Sequence, residues 1–357
     1  MMKLHIFNPG HDIALASNDE KMTAPHAVRQ MQMDLGFIPA LWADKSDYVL
    51  VDDSRYAIQS NSSKSYLQNV KYIDWTDLHK IDKEKLEVLP WGWDKTIKYK
   101  LSVASEGKLD DIMPNDKQLE KVREISGRKW ASKNLLQTLL DCDKTCIGES
   151  VAVNDYNNLI DILDNSDNGL AYQYVLKAPW SSSGRGLRYL DLQNEGINDH
   201  LEGWIKNVIR KQGLVMVEPY YNKIRDFGME FTAHVNGEIE YLGLSVFSTS
   251  NGAYMGNILA PEDEKEELLS RYINADILIE IRNAISLIMK DKLKGIYSGP
   301  FGIDMMVLNG GKIHPCVELN LRRTMGHVAL DLTQKMTEKR IMQMEFNAGH
   351  YSLKIKN

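Results

Sequence analysis

Two Asn-Gly turns limit the folds open to this chain more than any other feature. Asn236-Gly237 joins the alternating runs 228–235 and 238–246, and Asn309-Gly310-Gly311 joins 301–308 to 313–319. Such a pair between alternating apolar runs is a strong hairpin signal, because both residues tolerate the positive φ of a tight turn. The second half therefore contains antiparallel strands, with a long helix expected over about 276–292. The first half reads differently. Strand-like runs at 4–7, 38–42 and 48–51, and one ending near Pro90, alternate with helical spacing at 24–35 and from about Asp94. That alternation predicts a parallel α/β sheet, whose ligands sit at the carboxyl ends of its strands. Residues 8–12 and 91–94 occupy those ends.

Helical spacing over about 114–140 places a domain boundary near residue 125. Strands are then expected at 174–178, 187–190 and 214–218, with a helix at 197–211. The expected division is an α/β domain over 1–125, an α+β domain over 126–345 containing a smaller lid at about 172–220, and a C-terminal tail over 346–357.

The chain has 357 residues, more than one core of roughly 250–300 residues accommodates. Its net charge of −6 gives no basic surface for nucleic acid or an anionic membrane. Three cysteines without a CxxC pair, and no apolar run near the ~20 residues of a membrane helix, lead to the expectation of a cytoplasmic protein.

Two segments carry chemistry. In YVLKAPWSSSGRGLRYL, Lys177 ends an apolar run and precedes the loop Ser181-Ser182-Ser183-Gly184-Arg185-Gly186. An ammonium flanked by Leu176 and Ala178 needs an anionic partner to offset its burial. The loop offers N–H groups, hydroxyls and a guanidinium, all suited to phosphate. An ordinary hairpin with a surface lysine satisfies the same spacing. In FGIDMMVLNGGKIHPCVELNLRR, a three-residue turn puts Asp304, Glu318 and Asn320 on one face, whereas a two-residue turn separates them. Two carboxylates and an amide near phosphate suit Mg²⁺, with Mn²⁺ as an alternative. Pro315 marks the second strand as an edge, and the bland alternative is an outward polar face.

In their order along the chain, these pieces resemble the ATP-grasp superfamily over about 127–336. The resemblance implies a pre-ATP-grasp-like parallel α/β domain followed by an α+β ATP-grasp fold with antiparallel sheets and a mobile lid. It implies ATP and Mg²⁺ as cofactors. In GRKWASKNLL, Lys129, ahead of Lys133, is similar to the first phosphate lysine, and Lys177 to the second. Ser182, Ser183, Gly184, Arg185 and Gly186 look like the loop that closes over the triphosphate. VMVEPYY resembles the adenine strand, so Glu218, the Pro219 carbonyl and the Tyr221 N–H are expected to read the base. Glu230 in GMEFTAHV is similar to the ribose acid, at a longer spacing from Glu218 than in D-alanine–D-alanine ligase. Asp304, Glu318 and Asn320 match the metal ligands. Arg322 falls where biotin carboxylase-like members carry a reaction-centre arginine, with Arg323 as its expected helper. Gly302 and Leu321-Arg322-Arg323 depart from the D-alanine ligase pattern, and no biotin-attachment segment is present.

The implied reaction is ATP-dependent activation of a small-molecule carboxylate as an acyl phosphate, then attack by an amine or similar nucleophile. A kinase acting on a hydroxyl and a non-catalytic nucleotide-binding protein are the alternatives. Asn8, His11 and Asp12 are the expected substrate contacts, although Pro9 and Asp12 also read as an ordinary helix start. A homodimer is a habit of the superfamily.

Overall fold

The computed structural model of the chain describes residues 2–62, 64–164, 173–181, 184–250 and 253–356. Its strands form three sheets. The first comprises β1 (Met2–Ile6), β2 (Tyr48–Val51), β3 (Lys71–Asp74) and β4 (Leu86–Pro90), all parallel, in the order β3-β2-β1-β4. The second contains β5 (Val151–Val153), β6 (Gln173–Lys177), β7 (Leu187–Asp191) and β8 (Val215–Pro219), antiparallel, in the order β5-β8-β6-β7. The third has seven strands: β9 (Lys223–Ala233), β10 (Ile239–Ser250), β11 (Ala253–Leu259), β12 (Gly299–Leu308), β13 (Lys312–Asn320), β14 (Arg340–Asn347) and β15 (His350–Lys356). Its order is β13-β12-β9-β10-β11-β14-β15, antiparallel throughout. The fold class expected from the sequence is therefore present.

Both Asn-Gly hairpins form. Gly237, Gly310 and Gly311 all have positive φ, and Leu308 pairs with Lys312 across a three-residue loop. The long helix covers Ala275–Leu293 and buries Ile277, Ile281, Ile285 and Met289 against the third sheet's core. Strand β13 is an edge strand, as Pro315 requires.

Four readings change. Residues 38–42 do not form a strand: Ile38–Leu41 is a 3₁₀ turn with Pro39 in its first turn. All four side chains there are buried, so the run lacks the one-sided burial of a strand. Strand β3 escapes the sequence reading because its ends are Lys71 and Asp74, which give it little apolar character. The helical stretch 114–140 breaks after the helix Asp116–Ile125. Gly127 stands at the break, where a Cβ would lie 3.2 Å from the Trp180 ring. The expected tail contains β15, paired along its length with β14.

Candidate active site

Lys177 and Glu218 leave the ends of adjacent strands in the second sheet. Both are buried, and Lys177 Nζ lies 2.5 Å from a Glu218 carboxylate oxygen. Ser150 Oγ donates to the other Glu218 oxygen at 2.8 Å. The anionic partner demanded by the burial of Lys177 is thus supplied by the chain itself. The pair faces a cavity of about 660 Å³ between the second and third sheets. Pro219, Tyr221, Asp304 and Glu318 line the same cavity, so six residues singled out in the sequence converge here. Its volume lies in the range of small-molecule sites.

The described residues of the Ser/Gly loop lie between Lys177 and Leu187, which both line the cavity. Gly184 has φ +72°, and the Ala178 N–H donates to the Gly186 carbonyl at 2.8 Å. A Cβ on Gly186 would overlap Ser181, which explains the small residue there. Arg185 is exposed, and Ser182 and Ser183 lie outside the described residues. The cation that ties this loop to the carboxylates was missed in the sequence. Arg128 donates to the Ala178 carbonyl at 2.6 Å, to Ser181 Oγ at 2.9 Å and to Glu318 Oε1 at 2.6 Å. Lys129 and Lys133 are exposed. Of the two adjacent cations, the short helix Arg128–Ala131 thus turns Arg128 inward and leaves Lys129, the expected phosphate lysine, at the surface.

On β12 and β13, Asp304 stands directly opposite Glu318. The three-residue loop fixes the shared face, and a register shift between Asp304 and Met306 moves Glu318 into opposition. The Asp304 carboxyl is pushed up to about 8, by burial first and then by Glu318 and Glu230. Among the described residues no group of three histidines, cysteines or acids is arranged to hold a metal. Two facing carboxylates nevertheless fit a divalent cation completing its shell with phosphate and water. Asn320 fits less directly: it donates to Asp304 at 3.1 Å, while its oxygen accepts from Arg322 at 2.8 Å.

Glu230 does not reach the cavity. It is 1% exposed and accepts from Ser245 Oγ at 2.7 Å and Thr324 Oγ1 at 2.8 Å, with His327 Nδ1 at 3.0 Å. A side chain at Gly302 or Gly326 would collide with its carboxylate. Burial would raise this carboxyl, but the charge and hydrogen bond of His327, with Ser245 and Thr324, hold it below its ordinary value. On the same strand, Asp226 does line the cavity, held by Lys223 Nζ at 2.5 Å and by Thr249 Oγ1 at 2.8 Å. The long interval from Glu218 to Glu230 was the one sequence signal that this acid sits apart from the cavity.

The consecutive arginines part company. Arg322 grips Asp12 with Nε at 3.0 Å and a terminal nitrogen at 2.8 Å. Burial raises the Asp12 carboxyl, yet Arg322, through charge and hydrogen bonding, brings it below the usual range. Arg323 instead stacks 4.0 Å from the Trp42 ring centre and donates to Asp331 at 3.2 Å. Its guanidinium is thus held between Trp42 and the helix Met325–Thr333, away from the Asp304–Glu318 pair.

At the ends of β1 and β4, Asn8 donates to the Gly92 carbonyl at 2.9 Å, and His11 Nδ1 lies 3.0 Å from Asp94 Oδ2. Asp94 also caps the helix Lys95–Ala104 by accepting from the Ile97 N–H at 2.8 Å. A narrow crevice brings His11 and Asp12 together with Trp180, Ser181, Glu318 and Asn320. Of the N-terminal candidates, His11 and Asp12 thus adjoin the carboxylate hairpin, with Asp12 already paired, whereas Asn8 borders a separate space with Asp94 and Lys100.

No protein-family model matches the sequence, and comparison with curated proteins gives no match. Solved structures do match. The ADP complex of an N5-carboxyaminoimidazole ribonucleotide synthetase aligns at TM-score 0.52 and 13% identity, over 96% of this chain and 80% of that one. A biotin carboxylase–βγ-ATP complex from Campylobacter jejuni aligns at TM-score 0.52 and 12% identity, over 96% and 75%. The chain has the ATP-grasp fold. An N5-carboxyaminoimidazole ribonucleotide synthetase from Thermus thermophilus aligns at TM-score 0.50 and 13% identity, over 96% and 83%. Among the described residues, no helix of this chain is long and apolar enough to cross a membrane.

Proposed function

We propose that this chain is an ATP- and Mg²⁺-dependent ligase. It activates a small-molecule carboxylate as an acyl phosphate, which an amine or similar nucleophile then attacks, with release of ADP and phosphate. The observation that carries the reading is the 660 Å³ cavity, with Lys177 and Glu218 on one wall and Asp304 and Glu318 on the other. In this reading Glu218, Pro219 and Tyr221 face the base, Asp226 takes the ribose hydroxyls and Lys177 neutralises phosphate. Asp304 and Glu318, with Asn320 once its oxygen leaves Arg322, hold the metal. Mg²⁺, or Mn²⁺ in its place, supplies charge neutralisation on the transferring phosphoryl group. Arg128 sits between the Ser/Gly loop and Glu318, placed to follow phosphate as the loop closes. Arg322 orients the activated acid. The division into domains at about residue 125, the lid over 172–220 and a homodimer belong to the same proposal.

The test is the thermal midpoint with and without Mg²⁺–ATP for wild type, Lys177→Ala and Glu318→Ala. A site filled at about 100 times its dissociation constant stabilises by about 2.7 kcal/mol, a shift of several degrees. The expected result is a shift in wild type only. Candidate acids and amines are then screened for coupled release of ADP and phosphate. A phosphorylated substrate without free phosphate would identify a kinase instead.

A further inference from the structure

One buried group in the N-terminal part remains unused by that reading. His11 is 1% exposed, and its Nε2 has no hydrogen-bond partner among the described residues. Its ring is clamped: a Cβ on Gly92 would lie 2.6 Å from it, and Nδ1 is fixed on Asp94, itself 3% exposed. A carboxylate only accepts, so Nδ1 carries the ring hydrogen. In the neutral ring, Nε2 is then left as a bare acceptor. A buried imidazole nitrogen without a partner is costly unless a ligand uses it. The ring borders two small spaces. One, of about 30 Å³, contains Asn8, Asp94 and Lys100. The other, of about 10 Å³, contains Asp12, Ser181, Glu318 and Asn320. The second is about the room one water needs, enough for a reacting NH₂ group beside the carboxylate hairpin.

We propose that His11 is the general base that receives the proton of the attacking nitrogen, ammonia or a primary amine, with Asp94 as its positioning residue. The inference rests on the ligase reading. As the new N–C bond forms, the nitrogen gives its proton to Nε2. The C–O bond to phosphate breaks, phosphate leaves with the electron pair, and Nε2 passes the proton to it or to solvent. Asp94 offsets the transient imidazolium.

Two variants test this without removing the fold's supports. His11→Asn keeps a donor toward Asp94. Asp94→Asn keeps a side-chain oxygen for the Ile97 cap while turning an amide N–H toward Nδ1, which moves the ring hydrogen to Nε2. ADP release is measured with Mg²⁺–ATP, a mixture of the twenty amino acids and ammonium chloride, with and without hydroxylamine. Hydroxylamine is reactive enough to capture an acyl phosphate without a base. Each variant is expected to retain the Mg²⁺–ATP thermal shift and to lose amine-dependent release by about 100-fold or more. Hydroxylamine restores release to within a few-fold of wild type. In wild type, ¹⁵N NMR of the neutral ring should find its hydrogen on Nδ1 and Nε2 bare. Wild-type rates in His11→Asn, a loss that hydroxylamine does not restore, or a protonated Nε2 overturns the base. A wild type that releases no ADP in either mixture overturns the ligase reading and the base with it.

Discussion

At the scale of single residues, Glu230, the ribose acid expected from the sequence, is enclosed away from the cavity, whereas Asp226 on the same strand lines it. Glu230 is enclosed by Ser245, Thr324 and His327, so truncating that network leaves buried polar groups unpaired. Glu230→Gln is expected to destabilise by about 3–5 kcal/mol, the range for breaking a buried pair, with the affinity of the folded protein for Mg²⁺–ATP unchanged. Asp226→Ala should lower nucleotide affinity, and it also removes the partner of Lys223 and Thr249, so its affinity loss is read on the folded protein. The pH dependence has a definite sign. The folded Glu230 carboxyl titrates below its ordinary value of 4.5, so its contribution is present above that pH and is lost as pH falls through the folded value. The stability gap between wild type and Glu230→Gln must therefore narrow in acid. Urea unfolding at pH 7 and pH 4, with nucleotide titrations, checks both statements; weaker nucleotide binding by folded Glu230→Gln would return Glu230 to the site. The sequence could not separate the two acids. Both are buried on β9, and only the tertiary surroundings of the strand decide which one borders the cavity.

At the scale of elements, legibility followed how local the cause was. The Asn309-Gly310-Gly311 turn contains its own geometry, and a three-residue loop puts Asp304 and Glu318 on one face wherever the hairpin packs. The register shift that brings them directly opposite depends on tertiary packing and left no signal. Arg128 was missed for the same reason: Arg128 and Lys129 are adjacent cations, and the direction of a four-residue helix is set by what it packs against. The Ser/Gly loop lies between these cases. Its composition showed a turn, but not that the Gly186 backbone rests on Ser181. Gly186→Ala is expected to cost about 1–3 kcal/mol through overpacking and to weaken Mg²⁺–ATP binding several-fold, because displacing Ser181 loosens its bond to Arg128. Calorimetric titration with Mg²⁺–ATP reads the second effect. Unchanged affinity would mean that the loop's resting contacts are irrelevant to nucleotide.

At the scale of the whole molecule, the parallel sheet and the seven-stranded sheet meet through charge as well as through apolar packing. Asp12 follows β1 and Arg322 follows β13, 310 positions later, and two hydrogen bonds join them. The side chains are only 16% and 17% exposed, which reduces solvent screening. Arg322 is raised above its ordinary value, chiefly by Asp12 against the opposing effect of burial, and Asp12 is lowered below its own. Both directions say that each partner holds the other in its charged form. A double-mutant cycle with Asp12→Asn and Arg322→Gln should give a coupling of about 1.5–3 kcal/mol, the range for hydrogen bonds between charged groups. A coupling under about 0.5 kcal/mol would show that the apolar contacts of Phe7, Trp91, Val328 and Leu332 hold this junction unaided. The cycle also separates architecture from chemistry. If Arg322 only fastens the two parts, catalytic loss in each single variant should track its loss of stability. If Arg322 also orients the activated acid, Arg322→Gln should lose far more turnover than Asp12→Asn at equal stability, since Asp12→Asn leaves the guanidinium in place. The same arginine then couples closure of the junction to assembly of the site, because it contacts Asn320 and Asp12 at once.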